Sequence, residues 1–337
     1  MSAARDLAAV PGLSQIAEVL AAGGDRLAEL LDRTEARLGR VAEGYGQALE
    51  SHVAGTLAAG GKRLRPMLVF ISAGEAVSEE LVAAGVAVEL LHMASLVHDD
   101  VLDRAELRRG QPTVFASGGR TAATATGDLL FSRAFAVLAA TGHRDAVRAL
   151  SEASSALARG ELLQREDAWS AEVDVDRYLE RCRLKTARLF AAACRLGALL
   201  GDPGADLADA LAAFGERIGL AFQILDDVLD VSGPVERTGK ARGTDLLDGT
   251  VTLPLIPARE RDPAIASLDL RSAITAADAA AELCDRIAAT GALDEARGAA
   301  LNHVAAAKDE LRAMKGLDQR QCSLLSLVAD GVVERYA

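Results

Sequence analysis

An all-helical fold is what this sequence predicts, and three observations carry that reading. Alanine and leucine dominate while β-branched and aromatic runs are scarce, with aromatics at only 3% of residues. Prolines number eight in 337 residues. Apolar residues recur with helical spacing over long stretches, as from Val86 to Asp103, where no glycine or proline intervenes. Half of the residues are hydrophobic and 26% charged, which is ample core material for a globular domain. No Pro/Gly/Ser-rich linker or charge block divides the chain, so one domain over 1–337 is expected. It reads as packing helices over 1–58, a motif-bearing core over 59–260 and further helices over 261–337.

The first helical patterns run from Leu13 to Ala22 and from Asp25 to Ala54, interrupted at Gly23-Gly24, and suit packing in a dimer interface. Gly60-Gly61-Lys62-Arg63-Leu64-Arg65-Pro66 follows, a glycine pair and three cations. Glycines permit close approach of a ligand, and a helix starting near Pro66 offers free N–H groups to an anion. The apolar helix that comes next carries His92 and His98 and ends in Asp99-Asp100-Val101-Leu102-Asp103. Asp99 and Asp103 are four apart, so their carboxylates share one helix face. Such a pair alone is more often a solvated surface, but here it ends an apolar helix, where bare carboxylates repel and are costly to desolvate. Mg²⁺ removes that cost, being held by one or two carboxylates together with substrate phosphates. Arg108 and Arg109 follow, a pair suited to gripping phosphate oxygens. The decisive feature is a second copy: Asp226-Asp227-Val228-Leu229-Asp230 repeats the first cluster letter for letter after the apolar run Ile218–Leu225. Two such helices suggest two walls of one cavity that takes metal and a polyanion.

Between the clusters, helices are expected over Gly127–Ala140, Ala149–Gln164 and Tyr178–Leu200, the last carrying Lys185-Thr186-Ala187. Beyond Asp230, Ser232-Gly233-Pro234 breaks the helix, and a glycine-punctuated loop over 238–245 lacks the spacing of a Walker P-loop. From Pro263 onward alanine-rich helices alternate with turns. The net charge of −12 argues against nucleic acid as a partner. The four cysteines are scattered without CxxC, which reads as buried reduced thiols in a cytoplasmic protein. No signal peptide is recognisable, and no apolar run looks long enough, free of charge, to span a bilayer.

Taken together the motifs resemble the trans-isoprenyl diphosphate synthases, the polyprenyl synthetase family. Seven landmarks stand in family order: GGKRLRP at Gly60–Pro66, HxxxxxHDDxxDxxxxRRG at His92–Gly110, GExxQ at Gly160–Gln164, KTA at Lys185–Ala187, FQxxDDxxD at Phe222–Asp230, GKxxGTDL at Gly239–Leu246 and TLPL at Thr252–Leu255. The resemblance implies a large antiparallel helical bundle around a central cavity. It implies Asp99, Asp103 and Asp226 as Mg²⁺ ligands, with Asp100, Asp227 and Asp230 as further ligands, and about three ions with substrate bound. Arg108, Lys185, Thr186, Gln223 and Lys240 would surround an allylic diphosphate; Lys62, Arg65, His92 and Arg109 would bind isopentenyl diphosphate. Asp99, Asp103, Arg108, Lys185, Asp226 and Lys240 would carry the catalysis. One departure stands out: many relatives carry a lysine where this chain has Thr250, between the DL and TLP segments.

The implied reaction is Mg-dependent head-to-tail condensation into an all-trans polyprenyl diphosphate, in a homodimer that touches a membrane only on product release. Product length is read from the helix entering Asp99. Ala94 and Ser95, five and four residues before the aspartate, are small, where short-chain relatives carry a bulky aromatic. Leu91 and Val88 are the next floors. One isoprene unit is comparable to a helical turn of about 5.4 Å, so a product of about six units (about thirty carbons) or more is expected, suited to a quinone side chain. A geranylgeranyl-length product is the alternative. A class I terpene cyclase needs no second diphosphate site, and a non-catalytic synthase subunit needs no two intact acidic motifs.

Overall fold

The computed structural model describes residues 14–58, 60–201, 205–233 and 242–334. It is an all-α assembly: α1 (Ser14–Leu38), α2 (Gln47–Ala58), α3 (Leu64–Ser72), α4 (Glu79–Leu102), α5 (Val114–Ala139), α6 (Arg144–Glu166), α7 (Val175–Cys182), α8 (Arg188–Leu200) and α9 (Ala205–Ser232). The C-terminal part adds α10 (Thr244–Leu247), α11 (Leu255–Arg261), α12 (Pro263–Ala266), α13 (Leu270–Ala273), α14 (Ala277–Ala289), α15 (Ala292–Ala313) and α16 (Gln319–Glu334). The sole sheet among the described residues is a two-residue hairpin, β1 (Leu107–Arg108) against β2 (Gln111–Pro112), turned by Arg109 and Gly110 at φ 52° and 75°. Buried apolar side chains from Val19 to Val332 form one cluster.

Helix α4 is the element on which the site rests. Ser78 caps it, its Oγ accepting from Leu81 N at 3.1 Å, with Glu79 and Glu80 in the positive first turn. It packs along α5 and touches α3, α1 and α8, so most of its surface is buried. This corrects the expectation that no run reaches bilayer-spanning length: α4 is long and apolar enough by length and composition. Its most apolar stretch is 78% buried by neighbouring helices, which accounts for that composition. Helix α9, carrying the second acidic cluster, packs against α8 and α15. Both acidic helices therefore lean on α8, which is held close to α3 at Gly197; a Cβ there would lie 2.0 Å from Val69 O.

Several boundaries differ from the sequence reading. The glycine pair expected to separate the first two helices only kinks α1, at Gly24 (φ 62°, ψ −162°). The real break falls over 39–46, where Gly44 and Gly46 take φ of 85° and 94°. The helix expected over Tyr178–Leu200 contains a π-helical turn, Arg183–Ala187. All four cysteines are free thiols, but Cys322 is half-buried rather than buried.

Candidate active site

The first acidic cluster closes α4. Asp103 is its C-cap, its N–H bonded to Asp99 O at 2.8 Å. Burial pushes the Asp99 carboxyl up to about 6, with Glu161 and Asp103 adding to the rise and Lys185 and Arg108 opposing it. Asp100 points elsewhere: it is buried, and Arg108 Nε and Nη2 both donate to its Oδ1, at 2.9 and 2.8 Å. Asp103 accepts from Arg165 Nη2 at 2.6 Å, and Arg165 Nε donates to Glu161 Oε1 at 2.9 Å. Glu161 Oε2 lies 2.5 Å from Lys185 Nζ, which also donates to Gln164 Oε1 at 3.1 Å.

Lys185 sits on the π-helical turn Arg183–Ala187. That turn is clamped between two glycines: a Cβ on Gly160 of α6 would be 2.8 Å from Lys185 N, and one on Gly219 of α9 would be 2.6 Å from Ala187 Cα. Within this turn Lys185 faces α6 while Thr186, about a quarter-turn on, faces α9. Thr186 Oγ1 donates to Gln223 Oε1 at 2.7 Å, Gln223 Nε2 to Asp227 Oδ1 at 2.8 Å, and buried Tyr178 OH to Asp227 Oδ2 at 2.7 Å. Burial pushes the Asp227 carboxyl upward, against these two donors. Asp230 is occupied differently, accepting from the N–H groups of Thr244 and Asp245 at 3.2 Å each. Asp226 is exposed. The two acidic clusters are thus joined by consecutive residues, Lys185 on one side and Thr186 on the other.

A second site lies beside the first on α4, because His92 and Asp99 are seven residues apart and share one helix face. A pocket of about 230 Å³ opens between α2, α4 and the hairpin, with His92, Asp100, Arg108 and Arg109 on its polar side and Met93, Leu96, Val97 and Val114 on its apolar side. His92 is desolvated and surrounded by cations, so its pKa falls well below the ordinary histidine value; Arg65, Arg109, Arg108 and Arg63 all contribute. Arg65 stacks over the Phe190 ring at 4.6 Å, and burial pushes it down to about 10. Its Nε is a buried donor with no partner. The Arg109 guanidinium donates to Gly60 O, tying the hairpin to the glycine pair. Arg63 is the cation of the basic stretch that serves structure instead, donating to Glu89 Oε1 at 2.9 Å and also paired with Glu35. Lys62 is half-buried at the same loop.

The predicted residues therefore divide into two groups, with Arg108 beside Asp100 on the wall of the His92 pocket. Lys240 lies outside the described residues. Of the length-setting positions, Ala94 and Leu91 are fully buried, whereas Ser95 is half-buried and donates its hydroxyl to His92 O at 2.8 Å. Sequence reasoning missed Glu161, Gln164 and Tyr178, and it missed Arg165 altogether. The first two stand in the GELLQ motif, which is the signal that marked them; Arg165 had none. Among the described residues no three acidic, histidine or cysteine side chains converge into a ready cage for metal. The donor set nevertheless fits Mg²⁺, a hard ion content with one or two carboxylates plus phosphate oxygens, and the desolvated Asp99 is a carboxyl that a cation would relieve.

An acidic row and an arginine-rich pocket that share one buried helix mark an all-helical protein with sites suited to a cation and an anionic ligand. The sequence matches the polyprenyl synthetase family over residues 47–289, and the chain belongs to that family. It is a prenyltransferase of the polyprenyl diphosphate synthase class. It is 37% identical over 287 residues to the geranylgeranyl diphosphate synthase of Methanosarcina mazei, covering 82% of this chain and 86% of that one. It is 45% identical over 204 residues to the heptaprenyl diphosphate synthase component 2 of Geobacillus stearothermophilus, spanning 60% of this chain and 64% of that relative. A polyprenyl synthase structure from Caulobacter crescentus, complexed with calcium and isoprenyl diphosphate, superposes with a TM-score of 0.81 at 33% identity, covering 93% of this chain and 98% of that one.

Proposed function

We propose that this chain joins isopentenyl diphosphate to an allylic diphosphate, head to tail, and repeats the step to build an all-trans polyprenyl diphosphate. The observation that carries this reading is the pair of sites: an arginine-walled pocket at His92, and the acidic row through Asp99, Asp103 and Lys185. One diphosphate per site is what a coupling reaction needs, and a cyclase needs only the acidic one. The complex of the Caulobacter relative with a divalent cation and an isoprenyl diphosphate supports the same ligand chemistry.

In this reading Asp99, Asp103 and Asp226 hold Mg²⁺, which when bound neutralises charge on the leaving diphosphate. Lys185 stabilises the negative charge that develops on the departing pyrophosphate as the carbon–oxygen bond breaks. Arg65 and Arg109 hold isopentenyl diphosphate so that its alkene meets the allylic cation; the new carbon–carbon bond forms and loss of a proton restores a double bond. Water is kept from the cation by the apolar side of the bundle.

The product is proposed to reach about six isoprene units or more, because Ser95 leaves the first floor open. The relatives' names support both long and geranylgeranyl products, so the shorter one stays the alternative. A homodimer is proposed, the second reading being a two-component enzyme of the kind the Geobacillus name describes. One experiment tests the whole: the purified chain alone, with Mg²⁺, isopentenyl diphosphate and farnesyl diphosphate, analysed for product length. Asp99→Ala and Asp226→Ala should each lower turnover about 100-fold or more. Full activity in both variants, or no product from the wild type alone, contradicts the proposal.

A further inference from the structure

One cation bonded to the first acidic cluster comes from none of the motifs. Arg165, at the end of α6, reaches across to the end of α4 and bridges two carboxylates with its fork, Nη2 to Asp103 at 2.6 Å and Nε to Glu161 at 2.9 Å. With Lys185 on the other oxygen of Glu161, four side chains make a row of alternating charge: Asp103, Arg165, Glu161, Lys185. Burial raises the Glu161 carboxyl, but Lys185 and Arg165 overcome this and hold it below the usual range, so Glu161 is a firm anchor for both cations.

Such a row has a consequence for any divalent cation that seeks Asp103. Its carboxylate already has a guanidinium on one oxygen, and a dication arriving there meets a positive charge it must displace. The displaced guanidinium does not leave, because its Nε stays tied to Glu161. Its Nη groups are then released from Asp103, and a diphosphate accepts such a fork well. Resting on the diphosphate reading above, we propose that Arg165 is a positioning residue that exchanges Asp103 for a phosphate oxygen, and so couples divalent-cation binding to diphosphate binding. Cation alone competes with Arg165. Cation together with diphosphate does not, since the phosphate takes over the guanidinium. The side chains of Arg165 and Asp103 are 41% and 30% exposed, so the pair is partly screened and its hold is a matter of a few-fold, not of orders of magnitude.

The test measures Mn²⁺ binding to the full chain by the loss of the free-ion electron paramagnetic resonance signal, with and without inorganic pyrophosphate. Wild type, Arg165→Met and Arg165→Lys are compared, with melting curves taken in chelator as the folding check. The expected result is that Arg165→Met binds Mn²⁺ alone about three- to five-fold more tightly than wild type. The enhancement that pyrophosphate gives to Mn²⁺ affinity should shrink in the same variant, as reciprocity of coupling requires. Arg165→Lys should fall between, because an ammonium cannot span Asp103 and Glu161 as a fork does. Unchanged or weaker Mn²⁺ affinity without pyrophosphate, or an undiminished pyrophosphate effect, overturns the proposal. A lowered melting temperature with Mn²⁺ affinity unchanged assigns Arg165 to clipping α6 onto α4, and overturns it as well. If wild type takes up no Mn²⁺ even with pyrophosphate, the metal–diphosphate reading itself fails, and the role of Arg165 falls with it.

Discussion

Asp99 and Asp100 are chain neighbours with opposite fates, and the difference is one of solvation and partners. Asp100 is buried with a guanidinium on it, while Asp99 is desolvated among carboxylates and is pushed up to about 6. Two outcomes follow for Asp99. A metal needs its carboxylate, so protons compete with the metal, and Mn²⁺ affinity should fall by up to about ten-fold per pH unit below about 6. The Asp99→Asn variant should bind more weakly and show a flatter profile between pH 5 and 8. Stability runs the other way. The unfolded chain releases this proton near 3.8, whereas the folded protein keeps it until about 6, so folding is progressively disfavoured as pH rises through that window. Melting of the chelated protein should therefore show Asp99→Asn gaining on wild type between pH 4 and pH 7. A gain that is equal at both ends contradicts the raised carboxyl.

At the scale of the element, the π-helical turn Arg183–Ala187 decides how the two acidic clusters are connected, and it was not legible in the sequence. A π turn inserts one residue without removing apolar ones, so the pattern from Tyr178 to Leu200 still reads as a single helix. The acidic helices were legible, because long apolar runs with a serine cap at Ser78 and a repeated Asp-Asp-Val-Leu-Asp cluster are strong local signals. The loop over 39–46 was misplaced because Gly23-Gly24 offered a stronger apparent break, yet one glycine alone absorbed the kink there. Arg165 was invisible because its pairing with Glu161 is an ordinary i, i+4 contact within α6, while its other partner, Asp103, lies 62 residues away at the end of α4. The clamped turn yields a prediction of its own. Gly160→Ala places a methyl 2.8 Å from Lys185 N, a backbone atom that cannot move aside cheaply. The variant should lose about 1–3 kcal/mol of stability in urea titration. Its Michaelis constant for the allylic primer should rise more than that for isopentenyl diphosphate, because Lys185 moves and His92 does not. Equal effects on the two substrates would detach Lys185 from the primer.

Across the whole molecule, product length depends on which face of α4 borders open space. From Asp99 back to Glu79 the helix runs about 30 Å at 1.5 Å per residue, comparable to a chain of about six isoprene units. Sequence spacing alone leaves Ala94 and Ser95 equal candidates for the first floor beneath Asp99. Burial separates them. Ala94 is fully enclosed, and so are Leu91 and Val88 deeper on the helix, while Ser95 keeps open surface and bonds back to His92 O. A phenylalanine at 94 must force neighbouring helices apart, and Ala94→Phe should cost about 1–3 kcal/mol of stability with little selective change in product length. Ser95 is half-buried and keeps some open surface, so Ser95→Phe should be accommodated and should shorten the product sharply while leaving the first condensation near its wild-type rate. Chain-length analysis of the extracted products, alongside melting curves for both variants, separates the two cases. If Ala94→Phe shortens the product and Ser95→Phe leaves it unchanged, the growing chain runs along the Ala94 face, and the side of α4 assigned to elongation is wrong.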